Sequence, residues 1–184
     1  MPEGSVFIAA SLDGFIARPD GGLDWLPHGA DGPGEDYGYG AFVDGMDALL
    51  MGRATYDKVR TFEEWPYGTK PVFVWSRSEL NAGAPATVER VTGDPAAVFD
   101  ALDTRGFRRV YVDGGKTIQA FLRAGRIGRL ILTRIPVLLG TGIPLFGPLP
   151  QDVRLHHLAT RTYPSGLVQS EYTVVNGLDP EEAA

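Results

Sequence analysis

Two short stretches of this sequence combine glycine with a cation and a hydroxyl: Met51-Gly52-Arg53-Ala54-Thr55-Tyr56 and Asp113-Gly114-Gly115-Lys116-Thr117. Each follows an apolar run and precedes residues at helical spacing, so each reads as a strand-to-helix turn. The first N–H groups of a helix lack intrahelical partners and carry partial positive charge, which makes such a turn an anion site. Arg53 adds a planar cation suited to phosphate, and Thr55 a hydroxyl. In the second turn the glycines let a ligand approach the backbone, while Lys116 and Thr117 supply charge and a hydroxyl. Two such turns on one sheet suit a dinucleotide bearing a pyrophosphate and an extra phosphate. Either turn alone is also what a solvated loop looks like, and neither is a Gly-x-Gly-x-x-Gly fingerprint. Their joint order along the chain is the stronger signal.

The elements that must position these turns are legible as alternating runs. Ser5 to Ser11 reads as a buried strand, apolar without alternation. A glycine-weakened helix is expected from about Asp36 to Met46, then strand Asp47 to Met51 and a short helix through Val59. Strands follow at Pro71 to Trp75 and Ala86 to Val91. Asp94-Pro95 is a helix start, with the acid as cap and proline at the first position. Arg109 to Val112 is a strand, followed by a helix that Gly125 stops, and Leu130 to Ile135 is another. Val153 to Thr162 and Leu167 to Val175 read as a hairpin around Pro164-Ser165-Gly166. This order implies an α/β fold with a mostly parallel sheet, helices on its faces and an antiparallel C-terminal hairpin. One domain over 1–178 is expected, with an acidic tail at 179–184.

Composition narrows the function. With 184 residues, 43% hydrophobic and 22% charged, the chain has the profile of a globular domain. Without cysteine it has no thiolate metal site or Cys nucleophile, and a net charge of −6 argues against a general nucleic-acid or anionic-membrane surface. No apolar stretch nears the ~20 residues that span a bilayer, and the N-terminus has no signal-peptide pattern, so a cytoplasmic location is expected. His28, His156 and His157 lack metal-ligand spacing, and no metal is expected. Trp65, Tyr67, Trp75 and Phe146 read as packing, with Trp75 also placed to border a ligand.

Five segments in order, Ser11-Leu12-Asp13-Gly14-Phe15-Ile16-Ala17, Met51 to Tyr56, Val72-Phe73-Val74-Trp75-Ser76-Arg77, Val112-Asp113-Gly114-Gly115 and Ile135-Pro136-Val137-Leu138-Leu139-Gly140, resemble the dihydrofolate reductase superfamily. The nearer resemblance is to the reductase domain of bacterial bifunctional riboflavin-biosynthesis deaminase-reductases and their stand-alone relatives. It implies a dihydrofolate-reductase-like fold and NADPH as cofactor. By the same resemblance, Gly52, Arg53 and Thr55 hold cofactor phosphates, with Arg53 near the 2′-phosphate. Ser76 and Arg77 sit by the adenosine ribose and its phosphate, and Gly114, Gly115, Lys116 and Thr117 meet the pyrophosphate. Ala10 and Ile16 flank the nicotinamide, with the backbone of Ala10 reading its carboxamide. A strained, cis peptide between Gly114 and Gly115 is implied, and so is a homodimer using the late β segments.

At the reducing end the resemblance matches Asp36 to the carboxylate that binds and helps protonate a pterin, and Trp25 to an active-site tryptophan. A helix-start Asp is equally a cap, and both readings stand. The expected function is reduction of a small heterocycle with NADPH, of the 5-amino-6-(5-phosphoribosylamino)uracil type. The alternatives are a dihydrofolate or pterin reductase and a nucleotide-binding protein without catalysis.

Overall fold

A computed structural model describes residues 2–27, 31, 32 and 34–175. An eight-stranded sheet runs in the order β5-β4-β3-β6-β1-β7-β10-β9. Its strands are β1 (Glu3–Ser11), β3 (Ala48–Gly52), β4 (Val72–Trp75), β5 (Val88–Val91), β6 (Arg109–Asp113), β7 (Ile127–Ile135), β9 (Arg154–Thr162) and β10 (Val168–Val175). The pairings from β5 across to β7 are parallel, and β10 and β9 add antiparallel. Helices α1 (Tyr39–Asp44), α2 (Arg53–Val59), α3 (Pro95–Thr104) and α4 (Gly115–Arg123) complete the expected α/β arrangement. The acidic tail and His28 lie outside the described residues.

The unalternating apolar strands follow from burial on both faces. Along β3, Ala48 and Leu50 join one core layer with Phe99, Ile118 and Phe121, whereas Leu49 and Met51 join the other with Phe42 and Tyr56. β4 and β6 divide likewise, with Phe73, Val110 and Val112 in the first layer and Val72, Val74 and Tyr111 in the second. Successive side chains point to opposite faces, so a strand between two covered layers has no polar side to show. β9 is the opposite case, exposed at all nine positions.

Three sequence expectations need correction. A pair of short antiparallel strands, β2 (Phe15–Ala17) and β8 (Ile143–Pro144), was not legible, because three and two residues are too few to show a period. α1 starts at Tyr39 rather than near Asp36, since Tyr37 and Gly38 take φ of 58° and 84° and cannot extend a right-handed helix. The expected cis peptide between Gly114 and Gly115 is absent, as every described peptide is trans. Gly114 instead turns the chain with φ 94° and ψ 132°, which glycine adopts without steric cost.

A hydrogen-bonded clasp closes the C-terminal end of β1. Asp13 accepts the Ser11 hydroxyl at 2.6 Å and the N–H groups of Leu139 and Gly140 at 3.2 and 2.7 Å, tying the β1–β2 turn to the loop after β7. At the other end of β1, Gly4 marks a break in register with β7, and a Cβ there would stand 2.3 Å from the Arg126 carbonyl oxygen. Backbone cannot yield as a flexible side chain can. Gly4→Ala is therefore expected to lower stability by about 1–3 kcal/mol through overpacking. Urea unfolding measures it, and a change within experimental error would contradict the close approach.

Candidate functional site

A cleft of about 1340 Å³ opens along the C-terminal ends of the parallel strands. Both glycine turns line it, because β3 and β6 are neighbours with Met51 opposite Asp113. The turns fit into each other. A Cβ on Gly52 would lie 2.6 Å from the Thr117 hydroxyl, and one on Gly114 would lie 2.3 Å from the Thr55 hydroxyl. Each glycine thus makes room for the threonine of the opposite helix start.

Around these turns the cleft is lined by cations and hydroxyls, together with Asp57 and Asp94. α4 begins without a side-chain cap, so its first N–H groups remain available as donors, and Lys116 and Thr117 also line the cleft. Arg53 is committed: Nε donates to both oxygens of Asp57 at 2.9 Å, and the terminal nitrogens donate to the Glu79 carbonyl at 2.7 Å and Asn81 Oδ1 at 3.1 Å. Its work in this structure is to hold the segment after Arg77. Arg77 itself is exposed and makes no ion pair among the described residues. Beside it the buried Ser76 hydroxyl donates to the Ser78 carbonyl at 2.9 Å and accepts the Ser78 N–H, bending the chain after β4. Trp75 borders the cleft with its indole N–H on the Gly93 carbonyl at 2.9 Å.

The other end is aromatic and aliphatic. Ile16, Leu23, Leu26, Phe7, Tyr39, Tyr67 and Tyr111 line it, with Ile16 reaching against Gly115. The ring of Tyr39 meets Phe7 edge-on at 5.5 Å, and Tyr111 donates its hydroxyl to the Phe7 carbonyl at 3.0 Å. The Tyr39 hydroxyl interacts with those of Tyr67 and Tyr111. Burial, reinforced by the charge of Asp113, pushes Tyr39 up to about 12 and raises Tyr67 and Tyr111 further, so all three remain neutral hydrogen-bonding groups.

Asp113 ends β6 beside these phenols. One carboxylate oxygen accepts the Gly114 N–H at 2.8 Å, and the other has no partner among the described residues. Desolvation raises its pKa to about 6, against the opposing pull of that N–H. In the sequence Asp113 reads only as part of a turn. A usable signal was present, since strand alternation puts Tyr111 and Asp113 on one face.

Two expected site residues, Asp36 and Trp25, do not line the cleft. Asp36 is exposed and outside the cleft, and its two oxygens accept the Gly38 and Gly40 N–H groups at 2.8 Å, which holds its carboxyl below the usual range. It caps the entry to α1. Trp25 is half-buried beside Leu23 and Leu26 but does not line the cleft. The side chain of Ala10 is buried in the core, which leaves its expected backbone role untouched, and its neighbour Ala9 lines the cleft. The other expected positions, Ile16, Gly52, Arg53, Thr55, Ser76, Arg77, Gly114, Gly115, Lys116 and Thr117, all line the cleft.

Comparison with known proteins agrees with this architecture. The family description of the RibD C-terminal domain matches residues 2–169. The chain belongs to that family. A solved structure from Shewanella sp. PV-4, assigned in name to riboflavin biosynthesis, is similar with a TM-score of 0.87 and 38% identity, covering 95% of this chain and 99% of that one. YwjB of Bacillus subtilis, whose function is uncharacterized, is 32% identical over 170 residues, 86% of this chain and 90% of its own. Dihydrofolate reductase HdrB of Haloferax volcanii is 34% identical over 134 residues, 71% of this chain and 64% of its own. In this RibD-type domain, no described helix is long and apolar enough to cross a membrane, and no described acid or histidine cluster could hold a metal.

The raised pKa of Asp113 has a thermodynamic consequence. A carboxyl whose folded value, about 6, exceeds the reference 3.8 contributes stability below pH ~4 that is lost as pH rises through 6. At ~1.4 kcal/mol per unit, the loss is on the order of 2–3 kcal/mol. Asn keeps an acceptor for the Gly114 N–H and cannot ionise. Asp113→Asn should therefore be more stable than wild type above pH 6 and gain little at pH 4, read by urea unfolding at both values. A pH-independent difference would refute the shift.

Proposed function

We propose that this RibD-type domain reduces a small nitrogen heterocycle with NADPH. The observation that carries the reading is the division of one cleft into a cationic, hydroxyl-rich end built from two helix starts and an aromatic end with one uncommitted carboxyl. A volume near 1340 Å³ exceeds the ~300–1,000 Å³ of a typical small-ligand pocket, which suits a cofactor and substrate together.

The residues present fit the cofactor. The uncapped start of α4 with Lys116 suits the pyrophosphate, and Arg77 with Ser76 suits the 2′-phosphate. Ile16 and Ala9 offer an apolar wall for the nicotinamide. Bound NADPH would supply a hydride. The protein's part is to orient the ring against that wall, exclude water with Phe7, Leu23 and Leu26, and keep polar groups at the floor.

A riboflavin-pathway aminopyrimidine is the first candidate substrate, on the strength of the family. A dihydropterin is the second, favoured by the aromatic floor and the resemblance to HdrB. Loss of NADPH absorbance with 5-amino-6-ribosylaminouracil phosphate or with dihydrofolate distinguishes them, and no loss with either, despite NADPH binding, would leave a binding protein.

Arg77 should set the cofactor preference. A charge-assisted hydrogen bond contributes ~1.5–3 kcal/mol, so Arg77→Ala should weaken NADPH about 10- to 100-fold and NADH little. Fluorescence titration with each cofactor tests this, and equal losses would remove the assignment.

We also propose a homodimer through β9. All nine of its residues are exposed, and Leu155 and Leu158 are 43% and 48% accessible on a strand with a free backbone edge. Sedimentation at micromolar concentration should give twice the chain mass, shifted toward one chain by Leu158→Arg. A wild-type monomer would exclude it.

A further inference from the structure

Among the described residues Tyr37 alone, glycines apart, has a positive φ, at 58°. In that region the Cβ crowds the neighbouring carbonyl, and an aromatic residue persists there only where its surroundings hold it. Every part of Tyr37 is held. Its N–H donates to Glu35 Oε1 at 2.7 Å, and its hydroxyl donates to Asp31 at 3.1 Å. Its carbonyl accepts from Gln169 Nε2 at 3.1 Å, and its ring meets Tyr163 edge-on at 4.9 Å.

Most of these attachments lead to the β9–β10 hairpin. Asp31 also accepts the N–H and the hydroxyl of Ser165 in the hairpin turn, at 2.7 and 2.5 Å. Gln169 on β10 donates a second hydrogen bond to the Thr133 hydroxyl on β7 at 3.0 Å, and Thr133 is the register partner of Ala9 in the cleft wall. On the other side of Tyr37 lies α1. That helix has six residues, starts from a left-handed Gly38 that has no side chain to cap it, and places Tyr39 in the aromatic end of the cleft. Asp36 satisfies the N–H groups of Gly38 and Gly40 but ties them only to their own segment. A helix this short has few internal bonds, so its place depends on what it packs against and what holds its ends.

We propose that Tyr37, held by the β9–β10 hairpin, is the positioning residue of the substrate end: it fixes the direction in which α1 starts and so the place of the Tyr39 phenol against the ring to be reduced. This rests on the reductase reading above, and it gives the hairpin a part in the site. None of Asp31, Tyr37, Tyr163, Ser165 and Gln169 lines the cleft, so each acts through Tyr39 and touches no ligand itself. A left-handed turn alone would be served by glycine, which takes such a φ without steric cost and already stands at position 38. Tyr37 instead carries strain and is tied to one orientation by its N–H, hydroxyl, carbonyl and ring.

Three variants separate anchoring from turn formation. Asp31→Ala removes the acceptor shared by Tyr37 and Ser165. Asp31→Asn can still accept the Ser165 N–H and donate to the Tyr37 oxygen. Tyr37→Gly keeps the left-handed turn and deletes the hydroxyl and ring anchors. The first measurement is amide hydrogen exchange in the ligand-free chain. The Phe42 and Gly45 N–H groups, bonded to the Gly38 and Ala41 carbonyls, should exchange about 10-fold faster in Asp31→Ala and Tyr37→Gly and near the wild-type rate in Asp31→Asn, with β3 unchanged throughout. Wild-type exchange of α1 in Asp31→Ala and Tyr37→Gly overturns the proposal, and so does equal acceleration in β3, which would make the effect one of overall stability. The second measurement is steady-state reduction of dihydrofolate or of 5-amino-6-ribosylaminouracil phosphate, whichever wild type reduces. Asp31→Ala and Tyr37→Gly should raise KM for that compound about 10-fold with kcat within about threefold and NADPH affinity within about twofold, and Asp31→Asn should restore KM. A KM within about threefold of wild type in both variants, or a parallel loss of NADPH affinity, overturns the assignment. If wild type reduces neither compound while α1 exchanges as expected, Tyr37 positions α1 and the reductase reading alone fails.

Discussion

The reciprocal fit of two glycine turns governs the geometry of the cleft. Gly52 lies against Thr117 and Gly114 against Thr55, each at a distance that leaves no room for a Cβ. This contact exists because β3 and β6 are paired in parallel with Met51 opposite Asp113, so both strands end at one level and both helices depart side by side. A parallel sheet places helix starts at the C-terminal ends of its strands, which is where open α/β sheets collect ligands. The interlock converts that general tendency into a fixed spacing between two sets of backbone donors.

The same register dictates the floor. With Met51 and Gly52 fixed against β6, Tyr111 and Asp113 fall on the face that α1 covers, where Phe7, Tyr39 and Phe42 close around Tyr111. A carboxyl brought to such a place loses water on most sides and gains only the N–H of its neighbour. Folding gains little from this and loses stability above pH 6, which makes Asp113 a costly residue to keep at a packed strand end. A desolvated acid in a cleft is a candidate functional group. By contrast, the acids at 36, 57 and 94 are each engaged by a backbone cap or a cation, and their environments ask nothing further of them.

Arginine use separates the cofactor end in a similar way. Arg53 sits in the motif that first draws the eye, yet its guanidinium is taken up by Asp57, Asn81 and the Glu79 carbonyl. It builds the wall along which Arg77 is displayed. A charged side chain near a ligand can thus act through the loop it anchors, with the recognition left to its neighbour.

The sequence by itself determined the alternation of strands and helices, the parallel sheet with its terminal hairpin, and the two turns that meet in one cleft. These are local matters: hydrophobic runs, helix starts at Asp94-Pro95, glycines before Lys116, and motifs short enough to read in order. It also misplaced the acid. Asp36 lies on a glycine-rich stretch, and Tyr37 and Gly38 in left-handed conformations move the helix start past it. Tertiary structure alone decided that Asp113 stands among Tyr39, Tyr67 and Tyr111, the first two of them 74 and 46 positions away in the chain. Burial and desolvation are sums over neighbours that only the folded sheet brings together, and no window of sequence contains them.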